Sequence, residues 1–503
     1  MILLVNPRVT KPRNRRFPLS VMSVGAALPV GVSWEILDGN LPDVDVSRAV
    51  SERVERGRAG GDPVTAIALT VMPGPQLVSA IHLTRGLRQA FPEVAIVWGG
   101  YFPTLYPEPV LRSEDVDYVV RGQGEQTFVE LLEVLEGKRE PASVAGLGWK
   151  ENGAPRVNAE RPWLGPDTFP TPPYDRIDVN EYLHPTFLGR RNGVYQSSIG
   201  CAYSCNFCGV ISAYGSLQKF ESPARTEANL AFLVERHGMD ALHFYDNNFF
   251  AREARAEELC GRITRLNLRW WCEARIDALL GYSERTWETI RRSGLAMAFF
   301  GAESGSDERL RKMSKNLTTE QTRALAARMR GSGIVPEYSF VLGDPDDPED
   351  DIATTLDFIR ELKGINPELE VILYFYTPTP QRRGTYGGVD AVSTTPATLE
   401  EWLEPEWVDW MTHENPRVPW LSGALKARVD GFETVLKSRF PSLQDEKTAR
   451  WGKVLGRILS RRRWETGDFD DPRLLRGVRR LARRAPPDRQ EYGHLRPPVE
   501  GRG

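Results

Sequence analysis

The stretch YQSSIGCAYSCNFCGVISAYG, Tyr195 to Gly215, holds three of the chain's five cysteines, Cys201, Cys205 and Cys208, within eight residues. Thiolates are soft ligands suited to zinc or to iron–sulfur clusters. Structural zinc takes four closed ligands, whereas this loop supplies three, spaced C-x3-C-x2-C. Cys260 and Cys272 fall in separate later segments, and His184 and His243 are the histidines that could complete a zinc site from a distance. A cubane held by three cysteines leaves one iron open to a substrate or cofactor. Three thiols without a fourth therefore point to a catalytic cluster, with zinc as the alternative.

Bulk properties narrow the class. At 503 residues the chain exceeds a single core, and two or three domains are expected. Its 41% hydrophobic and 26% charged residues are ordinary for a globular protein, and a net charge of −3 exerts no general pull toward nucleic acid or anionic membranes. The opening MILLVNPRVTKPRNRR is apolar first and basic second, the reverse of a secretory signal, and the apolar stretch VMSVGAALPVGV is too short to span a bilayer. The expectation is a cytoplasmic protein with no transmembrane segment, where a cysteine cluster binds metal more often than it forms disulfides.

The fold class reads as α/β. In residues 1–140, short apolar strands (ILLV, WEILDGN, VTAIALTV, VAIVWGG, DYVVRGQGE) alternate with helical patterns such as PQLVSAIHLTRGLRQAF. That predicts a doubly wound parallel sheet covered on both faces. Ligands of such sheets lie beyond the carboxyl ends of the strands, where Asp38-Gly39-Asn40, Gly99-Gly100 and Gly122-Gln123-Gly124-Glu125 fall; turn glycines are the plainer reading of each. Residues 141–181 read as a linker, with five prolines in RPWLGPDTFPTPPYD (Arg161–Asp175). Residues 182–390 hold six further strands separated by helices, which predicts a full or partial (β/α) barrel with its chemistry on the loops at the strands' carboxyl ends. Residues 391–503 read as mostly helical, rich first in tryptophan (Trp402, Trp407, Trp410, Trp420) and then in arginine. The arginine run reads as a solvated helix face rather than a nucleic-acid site.

GCAYSCNFC resembles the cluster loop of the radical S-adenosylmethionine enzymes, with the aromatic Phe207 just before the last cysteine. FYDNNFF (244–250) resembles the family's segment after the second barrel strand. GAESGSDERLRKMSKNLT (301–318) resembles the fourth-strand segment of the subgroup that also carries a cobalamin domain. LDGN, GGYFPTLYPE and VDYVVRGQGEQTFVELL resemble that N-terminal domain, which would be Rossmann-like. The resemblance spans roughly residues 1–385 and leaves the C-terminal part unmatched.

The resemblance implies three cofactors: a [4Fe–4S] cluster, S-adenosylmethionine and cobalamin. The cofactors would do the bond breaking, through cleavage of S-adenosylmethionine and a 5′-deoxyadenosyl radical, while the protein orients them and excludes water. Cys201, Cys205 and Cys208 would ligate iron. Phe207 would lie near the adenine, Asp246 and Asn247 near the methionine amino group, and Glu273, Arg275, Glu303 and Ser304 toward the ribose and carboxylate. An ion pair between Glu273 and Arg275 is the plainer reading of those two. Gly343 would admit a close approach of backbone to adenine. Thr70, Gly99, Gly100, Tyr101, Gln123, Gly124 and Glu125 would line the corrin. No histidine lies between the first strand and LDGN, and His82 sits inside a helical pattern, so no histidine is expected beneath cobalt.

The function implied first is a cobalamin-dependent radical C-methyltransferase acting on an unactivated carbon. A cyclase or rearrangement enzyme without methyl transfer is the second reading, and a non-catalytic zinc or corrinoid-binding protein the third. A small-molecule or carrier-bound substrate and an electron donor such as flavodoxin or ferredoxin are the implied partners. The aromatic and arginine-bearing LYFYTPTPQRRGTYGG and the following tryptophans would either fill a core or roof the barrel mouth as a lid.

Overall fold

The computed structural model describes residues 1–9, 15–379, 386–388, 395–412, 416–445 and 448–483. The first sheet contains β1 (Ile2–Asn6), β2 (Trp34–Asp38), β3 (Ala66–Thr70), β4 (Ala95–Gly99), β5 (Tyr118–Val120), β6 (Leu147–Glu151) and β7 (Ala154–Val157). Its order is β2-β1-β3-β4-β5-β6-β7, with β1 to β5 parallel and β6 and β7 antiparallel. Every residue of β1 and β3 is buried, because helices cover both faces. Leu3 and Val5 pack with Val50, Val54, Leu77 and Ile81 on one face. Ile2 and Leu4 pack with Val21, Phe128 and Leu131 on the other. The β6–β7 hairpin lies within the stretch read as linker. It pairs with β5, so the first domain runs to at least Val157.

The second sheet is built from β8 (Asn192–Tyr195), β11 (Ala241–Phe244), β12 (Arg269–Ala274), β13 (Leu295–Glu303), β14 (Val335–Leu342) and β15 (Glu370–Phe375), all parallel and adjacent in that order. Between β8 and β11, the short β9 (Ser198–Gly200) and β10 (Gln218–Phe220) pair antiparallel and carry the cysteine loop between them. β8 and β15 are the sheet's two edges and do not pair, so the barrel is partial.

The two domains share apolar packing. Phe17 of the first sits 5.5 Å, centroid to centroid, from both Tyr174 and Tyr182, and the Tyr182 hydroxyl donates to Asp38 Oδ2 at 2.9 Å. The C-terminal part is helical, as expected, with helices Pro405–Thr412, Gly423–Arg439, Arg450–Thr466 and Arg473–Ala482. Its tryptophans do not all gather at the barrel mouth. Trp402 is fully buried in the first domain's core, 5.2 Å from the Phe102 ring and 5.0 Å from that of Tyr106. Trp410 belongs to the barrel core together with Val429, Phe432 and Val435. Trp420 stacks near Tyr376, in the group that includes Phe207. Arg382 and Arg383, read with the barrel mouth, lie outside the described residues, as does the 390/391 boundary.

Removing the tail would therefore strip both cores, not lift a lid. Trp402→Ala is expected to lower unfolding free energy by about 3–5 kcal/mol in urea titrations. Trp402→Phe should cost clearly less, because the indole Nε1 it removes has no partner among the described residues.

Candidate functional site

The carboxyl edges of the two sheets face one another across a cavity of about 750 Å3. The first domain contributes Asn40 after β2, Thr70 at the end of β3, Gly99, Gly100 and Tyr101 after β4, and Gln123, Gly124 and Glu125 after β5. The second contributes Tyr195, Tyr245 and Asn247 from the ends of β8 and β11, with Val210, Ala213 and Tyr214 from the helix Gly209–Tyr214. The proline-rich linker closes the cavity with Trp163, Phe169, Pro170, Pro172 and Tyr174, and the Trp163 ring lies 4.5 Å from that of Tyr214.

Glycine is required at the first-domain wall. Gly100 has φ +97°, and a Cβ there would meet Thr70 Oγ1 at 2.9 Å and Val71 N at 3.0 Å. The glycine lets the turn after β4 pack directly on the end of β3. Two predicted residues of this wall do other work. Asp38 is spent on Asn6, Asn40 and Tyr182, accepting from Asn6 Nδ2 at 3.0 Å and Asn40 N at 2.9 Å. Gly39 backs onto Val46, whose Cγ2 lies 2.8 Å from where a Cβ would be. Neither lines the cavity. Gln123 does, yet its amide clamps the linker, accepting from Leu164 N at 2.8 Å and donating to Leu164 O at 3.2 Å.

The cysteine loop borders this cavity. All three of its thiols are free. Burial, and then the neighbouring Cys205, push the Cys208 thiol up to about 12, and burial raises Cys201. Such thiols ionise readily only when a metal takes the charge. Two buried cations stand beside Cys205. Arg275 Nη1 lies 3.7 Å from Cys205 Sγ, its Nε donates to Asp277 Oδ1 at 2.9 Å and its Nη2 to the Lys315 carbonyl at 2.5 Å. Its guanidinium covers the Tyr203 ring at 3.6 Å. Lys315 Nζ donates to Glu303 Oε1 at 2.5 Å and stands 5.9 Å from the Phe207 ring centroid. A register shift in β13 and a left-handed Glu303 (φ 65°) turn that carboxylate to Lys315. Three thiols beside two buried cations fit a negatively charged thiolate cluster. Among the described residues no three His, Cys, Asp or Glu side chains converge on a single ion.

The remaining predicted residues divide. Phe207 packs against Met313, Tyr376 and Tyr386. Asp246 is fully buried and consumed by Ser197, accepting from its N at 3.0 Å and its Oγ at 2.8 Å. Asn247 beside it lines the cavity, and its Oδ1 is buried without a partner among the described residues. The Glu273–Arg275 ion pair does not form, because Arg275 turns to Cys205 and Asp277. Burial, and then Asp246, push the Glu273 carboxyl up to about 7. Ser304 Oγ accepts from Ser306 N at 3.2 Å, a turn contact. At Gly343 (φ +91°) the space a Cβ would take is filled by Leu421 at 2.7 Å, and the N–H donates to Asp351 Oδ2 at 2.7 Å. That glycine admits Leu421 of the C-terminal segment. Tyr203, Lys315 and the linker aromatics were not found from sequence. Lys315 and Tyr203 stood inside the two quoted motifs, but only the folded geometry shows what they touch.

Comparison with known proteins matches residues 6–132 to the B12 binding domain and residues 195–359 to the Radical SAM superfamily. An uncharacterized methyltransferase of Pyrococcus horikoshii is 30% identical over 273 residues, 54% of this chain and 58% of that protein, so the match spans little more than half of that relative. The anaerobic magnesium-protoporphyrin IX monomethyl ester cyclase of Synechocystis is 25% identical over 403 residues, 77% of each chain. Among solved structures, the radical S-adenosylmethionine methyltransferase TsrM from Kitasatospora setae, with cobalamin and a [4Fe–4S] cluster bound, superposes with a TM-score of 0.63 at 17% identity, covering 93% of this chain and 99% of that one. The cobalamin-dependent S-adenosylmethionine radical enzyme OxsB, with aqua-cobalamin and S-adenosylmethionine bound, gives 0.60 at 20% identity over 71% of this chain and 51% of that one. The two solved structures show the same overall fold.

A Cβ on Gly209 would overlap the Tyr101 hydroxyl. Gly209→Ala is therefore expected to destabilise the chain by about 1–3 kcal/mol through overpacking, and Tyr101→Phe in the same chain should recover most of it, as a double-mutant cycle in urea would read. Glu273 gives a pH test. Its folded pKa is raised, so the native state holds a proton that the unfolded chain has shed, and stability falls as pH rises from 4.5 to about 7. Glu273→Gln should match the parent at pH 4 and exceed it in stability above pH 7.

Proposed function

Because the chain belongs to the family that joins a B12 binding domain to a radical S-adenosylmethionine domain, we propose that it transfers a methyl group to a carbon atom of a biosynthetic intermediate, with cobalamin, S-adenosylmethionine and a [4Fe–4S] cluster as cofactors. The cavity shared by the carboxyl edges of both sheets, with the cysteine loop at its border, is the observation that carries this reading. When bound, the cluster and S-adenosylmethionine supply the radical that activates carbon, and cobalamin supplies the methyl group.

In this reading Cys201, Cys205 and Cys208 hold iron, with Arg275 and Lys315 balancing the thiolate charge. Asn247 Oδ1, buried and without a partner among the described residues, accepts from an ammonium group. Thr70, Gly99, Gly100 and Gly124 form the wall against the corrin, and none of the lining residues is a histidine. Tyr101, packed on Gly209, sets the spacing between that wall and the cluster loop. Phe169, Pro170, Pro172 and Tyr174 exclude water. Glu273 keeps its proton to about pH 7 at the end of β12. A reduced cytoplasm and a one-electron donor such as flavodoxin or ferredoxin belong to the same reading, as does a small-molecule or carrier-bound substrate. Ring closure without methyl transfer is the second reading, favoured by the cyclase that is similar over 77% of both chains.

Iron and sulfide analysis after anaerobic reconstitution tests the cluster. Cys201→Ala, Cys205→Ala and Cys208→Ala should each lose iron and 5′-deoxyadenosine formation. Cys260→Ala and Cys272→Ala should keep both, since those side chains are buried in the barrel core. Incubation with host extract then separates the two readings: a product heavier by one CH2 supports methylation, and one lighter by two hydrogens supports cyclisation.

A further inference from the structure

Helix Arg450–Thr466 leaves an apolar line exposed. Its buried face is the small-residue seam Gly452, Gly456 and Ser460. Gly456 lies against Ser438 of helix Gly423–Arg439, and Gly452 lies against Ala482. Leu459 and Trp464 pack against the barrel core, whereas Trp451, Val454, Leu455 and Ile458 are exposed. Helix Arg473–Ala482 runs back beside it and repeats the pattern, with Leu475, Val478 and Ala482 buried and Leu474 and Leu481 exposed. These six side chains are between 37% (Leu455) and 78% (Leu481) exposed. Scattered surface apolar residues are ordinary, but a clustered set on two adjacent helices marks an interaction surface.

The charges around it choose the partner. At 100° per residue, Trp451, Val454, Leu455 and Ile458 fall on one face of the helix, with Arg450, Arg457 and Arg461 on one flank and Arg462 within the face, between Trp451 and Leu455. Arg450, Arg457, Arg462 and, on the next helix, Arg480 are exposed and have no acidic partner among the described residues, although the chain as a whole carries −3. Glu465 is the acid within the outer face, and it is taken by Arg461 at 2.9 Å. We propose that this face docks the protein on an anionic lipid bilayer. The helix lies in the plane of the surface, Trp451, Val454, Leu455 and Ile458 enter the acyl boundary, and the arginines reach headgroup phosphates on their flexible stems.

A nucleic acid would use the arginines but has no use for an aliphatic line. A second copy would set unpaired arginines against each other across a two-fold axis. The face is also remote from the cofactor cavity. The segment just before it bonds to the barrel near the strands' starts, Ser442 Oγ to Glu370 Oε2 at 2.6 Å and Gln444 Nε2 to Glu337 Oε1 at 2.8 Å. Docking therefore leaves the carboxyl edges of both sheets uncovered.

Co-sedimentation of the full chain with large vesicles tests this. Vesicles of phosphatidylcholine with phosphatidylglycerol should pellet the protein, pure phosphatidylcholine much less, and added salt should weaken the binding. Arg450→Gln, Arg457→Gln and Arg462→Gln should each lower the partition coefficient about fivefold. Trp451→Ser with Ile458→Ser should abolish pelleting while thermal melting and circular dichroism stay as in the parent, because both side chains are exposed. A parent chain that stays in the supernatant with anionic vesicles overturns the proposal, as does pelleting that neither set of variants changes. A solution mass that halves on Ile458→Ser assigns the face to a second copy and also overturns it.

Discussion

The Tyr101 hydroxyl occupies the space where any residue but glycine would place a Cβ at position 209. This contact joins the first residue of the helix after β4 to the first residue of the helix after the last cysteine. It forms because the chain reverses sharply at Gly100, with φ +97°, and so delivers a tyrosine across the gap between two sheets. The rest of the site follows from that closeness. The carboxyl edges of two parallel sheets, each an ordinary place for a ligand, become the two walls of one cavity. The Tyr182–Asp38 hydrogen bond and Phe17, lodged between Tyr174 and Tyr182, hold the same interface from its other side.

Charge is handled differently on the two sides of the cysteine loop. Arg275 and Lys315 are buried, and each has a carboxylate of its own, Asp277 and Glu303. Removing such groups from water costs several kcal/mol per ion, and buried pairs of this kind are weak sources of stability. Their placement is better explained by the field they set at the thiols, where a thiolate cluster would carry negative charge. Glu273 has no such partner among the described residues, and burial pushes its carboxyl up to about 7.

The C-terminal segment laces the two domains together. Leu399 and Trp402 complete the first domain's core, while Val418, Leu421, Phe432 and Leu436 complete that of the barrel. Leu421 fills the space left by Gly343, so the loop after β14 and the segment beyond Pro416 are mutually shaped. At the other end, Gln444 enters between Glu337 and Glu370 at 2.8 and 3.4 Å, on the open flank next to the edge strand β15. There the tail meets β14 and β15 through Ser442 and Gln444.

The sequence by itself determined the two parallel sheets, their strand segments and the cysteine loop. Continuous apolar runs such as ILLV and AIALT can only be strands buried on both faces, and the C-x3-C-x2-C spacing is a local property that no distant contact alters. Asn40, Thr70, Gly99, Gly100, Tyr101, Gly124 and Glu125 were legible as cavity residues because strand ends and turn glycines announce themselves locally. What each side chain then touches was decided by tertiary structure. Asp38 and Asp246 look like ligand carboxylates in their motifs, yet buried carboxylates must be hydrogen-bonded, and Tyr182, 144 positions away, and Ser197, 49 positions away, claim them. Arg275 lies two residues from Glu273 and still turns to Cys205, because β12 delivers it to a site whose other wall comes from the loop after β9. The linker's aromatic roof and the outward-facing apolar line of helix Arg450–Thr466 could not be read from periodicity, since which face of an element is inside depends on what packs against it, and here two glycines and a serine took the inner face.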